Sequence, residues 1–429
     1  MTAITADSLG RAAIRLPAAI FWPALLLAAA WGAMLYSHHI PKAVGALLPY
    51  LPYGLGLVGA IIGWRFNRSR LVFSMAMLVV GHWLLLGPAS NIKPGTANEI
   101  GYILYAFLFP IGLVTLSLLH ERGLLSRLGM LRALSFAAVG GVMVAIAGAH
   151  LWLANDVAGQ LHDWVKLTLS LQLVPLAYLP QTAIPELALA VFGAAALFFV
   201  LRLITLGNPP LESGALGTLV AVGLALHFAG NATTGSVFFS TAATTLLIAA
   251  IQDTYRLAFH DELTGLPGRR ALMNETMKLG PRYAIAMLDV DHFKKFNDTY
   301  GHDVGDQVLR MVASRMERVS GGGKSFRYGG EEFTVVFSGK SVTEAVEHLD
   351  SLRQNIKESG FTIRSKDRKR KSAENRSNGK ARNGRKVSVT ISIGVAERSE
   401  HNPSPDTVIR AADQALYRAK KGGRNRVSS

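Results

Sequence analysis

Apolar runs close to the length of a bilayer-spanning helix recur along the chain from about Leu16 to Ile251. A helix needs about 20 consecutive apolar residues to cross the hydrocarbon core. Eight runs approach this length, near residues 15–36, 44–63, 71–88, 101–119, 133–153, 186–204, 214–230 and 235–252. A cleaved signal peptide is the alternative for the first run, but that run is longer than a typical signal-peptide core. The sequence therefore predicts an all-α polytopic membrane domain of about eight helices over residues 1–252.

The overall composition agrees with a membrane portion. Hydrophobic residues make up 50% of the chain and charged residues only 17%, which is too apolar for an ordinary soluble protein. The formal net charge of +16 points to nucleic acid, anionic lipid or phosphorylated ligands as partners, and most charges lie outside the apolar half. Because the chain has no cysteine, disulfides, thiolate metal sites and cysteine nucleophiles are excluded.

The basic residues between the apolar runs predict an orientation, because cytoplasmic loops carry the excess of Lys and Arg. Alternate connections hold nine such residues on one side and three on the other. The nine are Arg11, Arg15, Arg65, Arg68, Arg70, Arg122, Arg127, Arg132 and Arg202, and the three are Lys42, Lys93 and Lys166. We expect the N-terminus and the segment after Ile251 to lie in the cytoplasm.

Two features of the apolar half carry no firm assignment. The longest outward connection, roughly residues 154–185, would form a small extracytoplasmic cap or a ligand-facing loop. His82, His150 and His227 lie within or near the predicted spans, where ionisable residues can mark ligand, proton or haem sites. Because no spacing repeats, we favour histidines that are hydrogen-bonded inside the bundle or placed at helix ends.

The rest of the chain alternates strand-like and helix-like segments, which predicts an α/β domain over residues 263–429. Residues 253–262 would continue the last apolar helix as a signalling helix or linker until Gly265 and Pro267 stop it. The predicted elements are a strand at 283–288, a helix at 303–319, a hairpin at 326–337, a helix at 342–356, a strand at 387–395 and a helix at 405–420. Because the linker is short, a signal would pass directly from the membrane helices to this domain.

Acidic residues stand at two places where such domains bind ligands. Asp289 and Asp291 follow the predicted strand at 283–288. Glu331 and Glu332 form the tip of the predicted hairpin, after two glycines that permit a tight turn. Oxygen ligands from Asp289 and Glu331 suit Mg²⁺, which commonly binds one or two carboxylates together with substrate phosphates. Solvated acidic turns are the alternative for either site taken alone.

Short motifs follow one another in order through about residues 255–426. They are DELTGLP at 261–267, DVDHFK at 289–294, ND at 297–298, GH at 301–302, GD at 305–306, RYGGEEF at 327–333, SIGV at 392–395, ADQALY at 412–417 and AKKGGRN at 419–425. This series resembles the GGDEF family of diguanylate cyclases, in the GGEEF variant of its signature. The resemblance covers roughly two-fifths of the chain. It implies a nucleotidyl-cyclase-like α/β domain, with a central, mainly antiparallel sheet flanked by helices.

The resemblance also implies metal-binding and catalytic residues. Asp289, the backbone carbonyl of Val290, and Glu331 would hold two Mg²⁺ or Mn²⁺ ions in each half of the active site. Glu332 or Glu331, with Lys294, would serve catalysis, and one of the glutamates would help to deprotonate the ribose 3′-hydroxyl. The sequence does not divide the two roles between these glutamates.

Further positions that match the family would bind GTP. Asn297 and Asp306 would recognise guanine, and cationic side chains would hold the triphosphate. The implied substrate-binding residues are Phe293, Lys294, Asn297, Asp306, Arg327, Lys420 and Arg424. The implied reaction converts two GTP into cyclic di-GMP and two pyrophosphates. Since one domain binds one GTP, two domains must face each other, which implies a homodimer.

The implied setting is the bacterial inner membrane, with the protein anchored by several spans in contact with lipid. Two other functions stay open. A catalytically silent domain would act as a GTP or cyclic di-GMP sensing module, although the intact carboxylates argue against it. A transporter with a regulatory tail would use the membrane half itself, and the lack of charges within the spans argues weakly against that.

Two features of the segment before the signature depart from familiar patterns. Ser320 and Gly323 occupy the positions where many family members carry an Arg-x-x-Asp product-inhibition site, so such inhibition should be absent or weak. The segment 321–325 superficially resembles a phosphate-binding P-loop. However, Arg318 stands where that motif needs glycine, and a strand is predicted to follow instead of a helix. A flexible turn is favoured.

A basic tract near 364–386 interrupts a connection that is usually short in the family. It carries eleven Lys or Arg against two acidic residues and is predicted to be disordered. It would be either a solvated insertion or a contact with the anionic inner leaflet. Because the tract lacks aromatic residues to stack on bases, no specific nucleic-acid partner is expected.

Overall fold

The computed structural model describes residues 6–36, 39, 41–86, 97–121, 123–171, 182–206, 209–362 and 386–429. The chain divides into two compact units, Met1–Thr254 and Tyr255–Ser429. The boundary falls within a helix that continues to Phe259, so the helix predicted to extend beyond the last apolar run is present.

In the described residues of the first unit, all regular secondary structure is helical. The helices are α1 (Ala6–Leu35), α2 (Lys42–Leu47), α3 (Leu51–Arg65), α4 (Ser69–Leu86), α5 (Ala97–Leu118), α6 (Arg127–Ala147), α7 (Asn155–Leu169), α8 (Glu186–Leu206), α9 (Pro210–His227) and α10 (Ala232–Phe259). Seven helical segments in the described ranges are long and apolar enough to cross a membrane. They are Lys42–Arg65, Ser69–Leu86, Glu99–Leu118, Arg127–Ala147, Glu186–Leu206, Pro210–His227 and Ala232–Phe259.

These segments match seven of the eight predicted spans. The remaining one, 15–36, falls in α1, whose described apolar stretch Ile20–Leu35 is shorter than the seven candidate spans. The helical fold predicted for this half is confirmed, and the helices are consistent with a membrane protein. The orientation of the helices stays a prediction.

The helix α10 is the most buried of the seven candidate spans. Phe238 and Phe239 are completely buried, and hydroxyl residues share the same helix. The hydroxyls of Ser236, Ser240 and Thr245 each donate to the carbonyl four residues earlier, so these polar side chains are satisfied without leaving the bundle.

The polar groups of the bundle partly correct the sequence analysis. His82 is buried and its Nε2 lies 2.9 Å from Ser236 Oγ, which agrees with a hydrogen-bonded histidine. Glu212 lies two residues before the predicted span 214–230, in the first turn of α9, and is only 3% exposed. Arg202 belongs to α8, not to a connecting loop, and it pairs with Glu212. The predicted outward loop at 154–185 contains the helix α7, and its residues 172–181 lie outside the described residues.

The second unit combines helices with a five-stranded sheet. Its elements are α11 (Arg269–Thr276), β1 (Tyr283–Val290), α12 (Phe293–Tyr300), α13 (His302–Met316), β2 (Lys324–Gly329), β3 (Glu332–Ser338), α14 (Val342–Glu358), β4 (Phe361–Thr362), β5 (Lys386–Val387), β6 (Ile391–Glu397), α15 (Pro405–Lys421) and β7 (Val427–Ser428). The sheet order is β2-β3-β1-β6-β7, and only the last pair is parallel. The predicted mainly antiparallel sheet is confirmed.

The central strand β1 explains why this part of the sequence is apolar at consecutive positions. All eight of its residues are buried. Ala286 and Leu288 pack in one core with α13 and α14, while Ile285 and Met287 pack in the other with α11 and α15. Gly394 in β6 is required by close packing, because a Cβ there would lie 1.9 Å from Leu416 N in α15.

Three details differ from the predicted elements. The strand β1 extends to Val290, so Asp289 lies within the strand and not just after it. The predicted strand at 387–395 is divided, because Val387 pairs with Phe361 in a separate two-stranded sheet. The short helices α11 and α12 and the two-residue strands β4 and β7 were not predicted. Residues 364–385 of the basic tract lie outside the described residues.

Candidate active site

The acidic site lies where β1 meets the turn between β2 and β3. In the antiparallel register Asp289 is opposite Glu332, the first residue of β3. Gly330 and Glu331 form the turn, and Gly330 has φ of 52°, a left-handed conformation that favours glycine. Val290 N donates to Glu331 O over 3.4 Å, which holds the turn against the end of β1. The three carboxyl groups therefore share one edge of the sheet.

Burial and a neighbouring lysine have opposing effects on the pKa values of these carboxyl groups. Lys420 Nζ lies 2.9 Å from Asp289 Oδ2, and the Asp289 side chain is only 8% exposed. Burial raises the pKa of Asp289, and this effect outweighs the opposing effect of the Lys420 ammonium. Burial also raises the pKa values of Glu331 and Glu332, and the charge of Asp289 raises them further. The site thus gathers more negative charge than one lysine offsets, which favours a bound cation.

The donor set suits a hard divalent cation. Carboxylate oxygens from Asp289 and Glu331 and the carbonyl of Val290 are the kind of ligands that Mg²⁺ and Mn²⁺ accept. In the part of the chain that the structure describes, no group of three or more His, Asp or Glu side chains is placed to hold a metal ion. Two carboxylates completed by a main-chain carbonyl and by substrate phosphates are compatible with that result.

The two predicted guanine-binding residues stand on adjoining helices, Asn297 on α12 and Asp306 on α13. Asn297 Oδ1 is buried and has no hydrogen-bond partner among the described residues. An unsatisfied buried acceptor costs about 1–3 kcal/mol, so a donor from a ligand is expected there. Gly305, which precedes Asp306, leaves room for the Asn297 side chain. A Cβ at position 305 would lie only 1.9 Å from Asn297 Oδ1.

Phe293 and Lys294 begin α12, directly after His292, whose φ of 57° turns the chain away from β1. The ring of Phe293 is only 7% exposed and belongs to the hydrophobic core. A substrate contact by Phe293 would therefore come from its main chain. Lys294 is exposed.

The predicted phosphate-binding cations come from the end of α15. Lys420 lies in the last turn of that helix, and Arg424 follows in the segment that leads to β7. Burial raises the pKa of Asp289 overall, and the positive charge of Arg424 partly opposes this effect. The exposed Arg424 side chain is therefore also close to the acidic edge.

Arg327, which was also predicted to bind substrate, has partners within the domain. Its Nη1 lies 2.6 Å from Asp261 Oδ1. Its Nε and Nη2 donate to Gly330 O over 3.2 and 2.7 Å. The guanidinium therefore braces the turn that carries Glu331, and its role towards substrate stays a prediction.

Sequence reasoning missed the supporting contacts of two carboxylates that shape the site. Asp261, in DELTGLP, is the partner of Arg327. Asp291 accepts hydrogen bonds from the hydroxyls of Ser392 and Thr390 and was grouped with the potential ligands. The polar residues at 390 and 392 were a signal, but the register of β6 against β1 was needed to interpret it.

The fold and the site define the second unit as an α/β domain with a mainly antiparallel sheet and an acidic edge. The family model described as "Diguanylate cyclase, GGDEF domain" matches residues 258–426. This part of the chain is a GGDEF domain.

The relatives that match are similar over about two-fifths of the chain. The diguanylate cyclase VdcA of Vibrio cholerae is 39% identical over 175 residues, covering 40% of this chain and 46% of the relative. The response regulator PleD of Caulobacter vibrioides is 33% identical over 185 residues, covering 41% of this chain and 37% of the relative. The chain thus spans less than half the length of either relative. A crystal structure of the coiled coil and GGDEF domain of DgcB from Caulobacter crescentus with c-di-GMP has 34% identity, a TM-score of 0.38, and coverage of 44% of this chain and 94% of that one.

Proposed function

We propose that this protein is a membrane-anchored diguanylate cyclase, which condenses two GTP molecules into cyclic di-GMP and two pyrophosphates. The observation that carries the proposal is the acidic edge formed by Asp289, Glu331 and Glu332 with Lys420 against it. The unsatisfied Asn297 Oδ1 supports a base-binding site in the same domain. The match to the GGDEF family and to curated diguanylate cyclases supports the reaction.

Each half of the reaction forms one phosphodiester bond. The 3′-oxygen of one GTP attacks the α-phosphorus of the other, and the bond from that phosphorus to the bridging oxygen breaks as pyrophosphate leaves. The 3′-hydroxyl proton passes to a carboxylate, for which Glu332 or Glu331 is the candidate. In the metal-free domain, burial and the charge of Asp289 raise the pKa values of both glutamates. Repeating the step in the opposite sense closes the ring.

The residues of this chain would bind and orient the substrate. Asn297 and Asp306 would accept hydrogen bonds from the donors of guanine, and adenine would leave these acceptors unpaired. Lys294, Lys420 and Arg424 would neutralise the triphosphate and the leaving pyrophosphate. When Mg²⁺ or Mn²⁺ is bound by Asp289, Val290 O and Glu331, the metal would supply further charge neutralisation and activate the 3′-hydroxyl.

The chemistry requires two GGDEF domains face to face, each presenting one GTP to the other. We therefore propose a homodimer held in the bacterial inner membrane, with the N-terminus and the GGDEF domain in the cytoplasm. Residues 1–252 would anchor or regulate the enzyme, and residues 253–262 would connect the two parts. The basic tract near 364–386 would contact anionic lipid, which predicts that deleting residues 366–384 weakens liposome binding. Unchanged binding would reject that contact.

A direct assay tests the proposal. The purified full-length protein, incubated with GTP and Mg²⁺, should form cyclic di-GMP and release one pyrophosphate per GTP consumed. Glu332→Ala should abolish product while leaving the protein folded and dimeric. A folded dimer that binds GTP with Mg²⁺ but forms no product would reject the cyclase and favour the sensing module. A folded protein that binds neither GTP nor cyclic di-GMP would reject both.

A further inference from the structure

One carboxylate beside the acidic edge is engaged entirely by other parts of the domain. Asp291 is 9% exposed. Its Oδ1 accepts from Ser392 Oγ over 2.6 Å, and its Oδ2 accepts from Thr390 Oγ1 over 2.8 Å and from Asn425 N over 3.1 Å. Asp291 thus joins the end of β1 to the start of β6 and to residues 422–426. Those five residues, called the clamp segment below, carry Arg424.

The clamp segment has a backbone that needs such support. Arg424 and Asn425 have φ values of 62° and 46°, in the left-handed region that residues other than glycine rarely occupy. Conformations of this kind persist only where the surroundings fix them. Arg424 N donates to Ala419 O over 3.0 Å, and Asn425 N donates to Asp291, so both N–H groups of the strained pair have partners.

A second support comes from the opposite direction. Arg353 on α14 donates from Nη1 to Asn425 Oδ1 over 3.1 Å. Its own orientation is fixed by Asp350, whose Oδ1 lies 2.6 Å from Arg353 Nε. Asn425 is therefore held by its main chain to Asp291 and by its side chain to Arg353. The neighbouring Arg424 is exposed and owes its position to this fixed backbone.

We propose that Asp291 and Arg353 are positioning residues, which fix the clamp segment so that Arg424 meets the triphosphate of the substrate. The inference rests on the proposed function, because it assigns the clamp to the phosphates of GTP. Neither residue needs to touch the nucleotide, and both act through Asn425. Substitution of Asp291 or Arg353 should therefore weaken binding of the phosphates and leave binding of guanine unchanged.

The sign of the effect separates positioning from simple electrostatics. Asp291 is negatively charged and close enough to Asp289 to raise the pKa of that carboxyl. If Asp291 acted only by its charge, Asp291→Asn would strengthen triphosphate binding, because it removes a repulsive charge. If Asp291 positions Arg424, the same change would weaken binding, because it removes the charge that strengthens the hydrogen bond from Asn425 N. In addition, the NH2 group of asparagine takes the place of one carboxylate oxygen and cannot accept the hydrogen bonds that reach that oxygen.

The test uses the full-length protein and two ligands that differ in their phosphates. The ligands are GMP and 3′-deoxy-GTP, which lacks the attacking hydroxyl and cannot be condensed. Asp291→Asn and Arg353→Gln should each weaken 3′-deoxy-GTP binding about tenfold, the effect of losing one charge-assisted hydrogen bond, and change GMP binding less than about twofold. In steady-state assays the KM for GTP should rise more than kcat falls.

Arg424→Ala should weaken 3′-deoxy-GTP binding to a similar extent, and adding Asp291→Asn to it should cause little further loss, since both act through one contact. Arg282→Gln, which removes an exposed ion pair with Glu344, is the matched control. Unchanged or tighter triphosphate binding by Asp291→Asn, an equal loss for GMP, or fully additive losses would overturn the proposal. The binding data stand even if the unmodified protein makes no cyclic di-GMP, a result that would reject the proposed function separately.

Discussion

Arg327 Nη1 lies 2.6 Å from Asp261 Oδ1, and the same guanidinium donates twice to the carbonyl of Gly330. Asp261 follows the end of α10 by two residues, and Gly330 belongs to the turn that presents Glu331. The start of the GGDEF domain is therefore tied to its acidic turn by one side chain. A displacement of the segment after α10 would reach the active site through this contact.

Breaking this contact should weaken both the domain and its activity. Burial raises the pKa of Asp261, but hydrogen bonds from Thr264 and Arg327 outweigh that effect and hold the pKa below its usual value of 3.8. Asp261→Asn should cost about 1 kcal/mol of unfolding free energy at neutral pH, since the pair is partly exposed, and lower cyclase activity severalfold.

A depressed pKa contributes stability above the usual pKa, and the contribution is lost as pH falls through the folded value. The stability difference between Asp261→Asn and the unmodified protein should therefore shrink below about pH 3.8. Thermal unfolding across pH measures this difference, with the exposed neighbour Glu262→Gln as control. A difference that is constant down to strongly acidic pH would contradict the role of Arg327.

The acidic edge should make metal binding depend on pH. A carboxyl group whose pKa is raised in the folded protein contributes to folding stability below its usual pKa, which is 4.5 for Glu331. This contribution is lost as the pH rises through the pKa of the folded protein. The metal-free protein should thus be strained by repulsion at neutral pH, where Mg²⁺ finds the ionised ligands it needs. We expect a larger Mg²⁺-induced rise in unfolding temperature at about pH 7.5 than at about pH 5.

Glu331→Gln should separate the two effects. It should raise the unfolding temperature of the metal-free protein at neutral pH, because it removes repulsion with Asp289 and Glu332. It should also weaken Mg²⁺ binding by more than about tenfold, since even residues that only orient ligands are worth 10–100-fold. Glu317→Gln, at the exposed end of α13, is the control. Equal Mg²⁺ stabilisation of Glu331→Gln and the control would exclude Glu331 as a ligand.

The fold was largely predictable where one periodic signal extends over many residues. Long apolar runs predicted the helices of the first unit, and the buried run of β1 predicted the central strand. Short elements were missed for a physical reason. The helix α12 has only eight residues and follows His292, whose left-handed conformation no periodicity reveals. The division of the strand near Val387 depends on pairing with Phe361, a contact across the basic tract.

The acidic part of the site was predictable because its residues occur at characteristic spacings in the sequence. The supporting contacts were not, since each joins distant segments. The contact between Asp291 and Asn425 spans 134 positions, and that between Asp261 and Arg327 spans 66. Such pairs become visible only when the sheet register is known. The burial of Glu212 was missed because its partners, Ser117 and Arg202, lie on other helices.

The space beside Asn297 gives a prediction about guanine binding. Gly305→Ala would place a Cβ 1.9 Å from Asn297 Oδ1, so the amide must move. We expect the KM for GTP to rise about fivefold to tenfold, the effect of losing one neutral hydrogen bond, with little change in folding. Gly280→Ala is the matched control, because nothing lies within 4 Å of its added carbon. Equal KM values for the two variants would exclude a role of Asn297 in base binding.

The buried carboxylate of the first unit gives a prediction about stability. Glu212 Oε1 lies 2.8 Å from Arg202 Nη2, and Glu212 Oε2 accepts from Ser117 Oγ over 2.7 Å. Glu212→Ala leaves the guanidinium without its charged partner and should destabilise the protein by about 3–5 kcal/mol. Thermal unfolding of the detergent-solubilised protein measures the loss. Arg202→Ala should be similarly harmful, and a double variant much less harmful than the sum would confirm that the two residues form one unit.

Side-chain contacts hold the turn at residues 320–323, which precedes the GGEEF signature. Ser320 Oγ lies 2.9 Å from His348 Nδ1, and the His348 ring stacks on Phe337 with centroids 6.1 Å apart. A Cβ at Gly323 would lie 2.7 Å from the Phe337 ring, which is completely buried. The two positions that would carry the Arg-x-x-Asp pair are thus occupied by residues that fit this packing and bear no charge.

This arrangement predicts that product does not inhibit through the turn. Added cyclic di-GMP should leave the initial rate unchanged at submicromolar concentration, and potent inhibition would contradict the prediction. Restoring the motif with Ser320→Arg and Gly323→Asp should not create inhibition, because the new side chain at 323 collides with Phe337. That double variant should instead lose about 1–3 kcal/mol of unfolding free energy, the usual effect of overfilling a core. Ser320→Arg alone adds the charge without the collision and should remain as stable as the unmodified protein. Comparing the two variants therefore separates the effect of charge from that of packing.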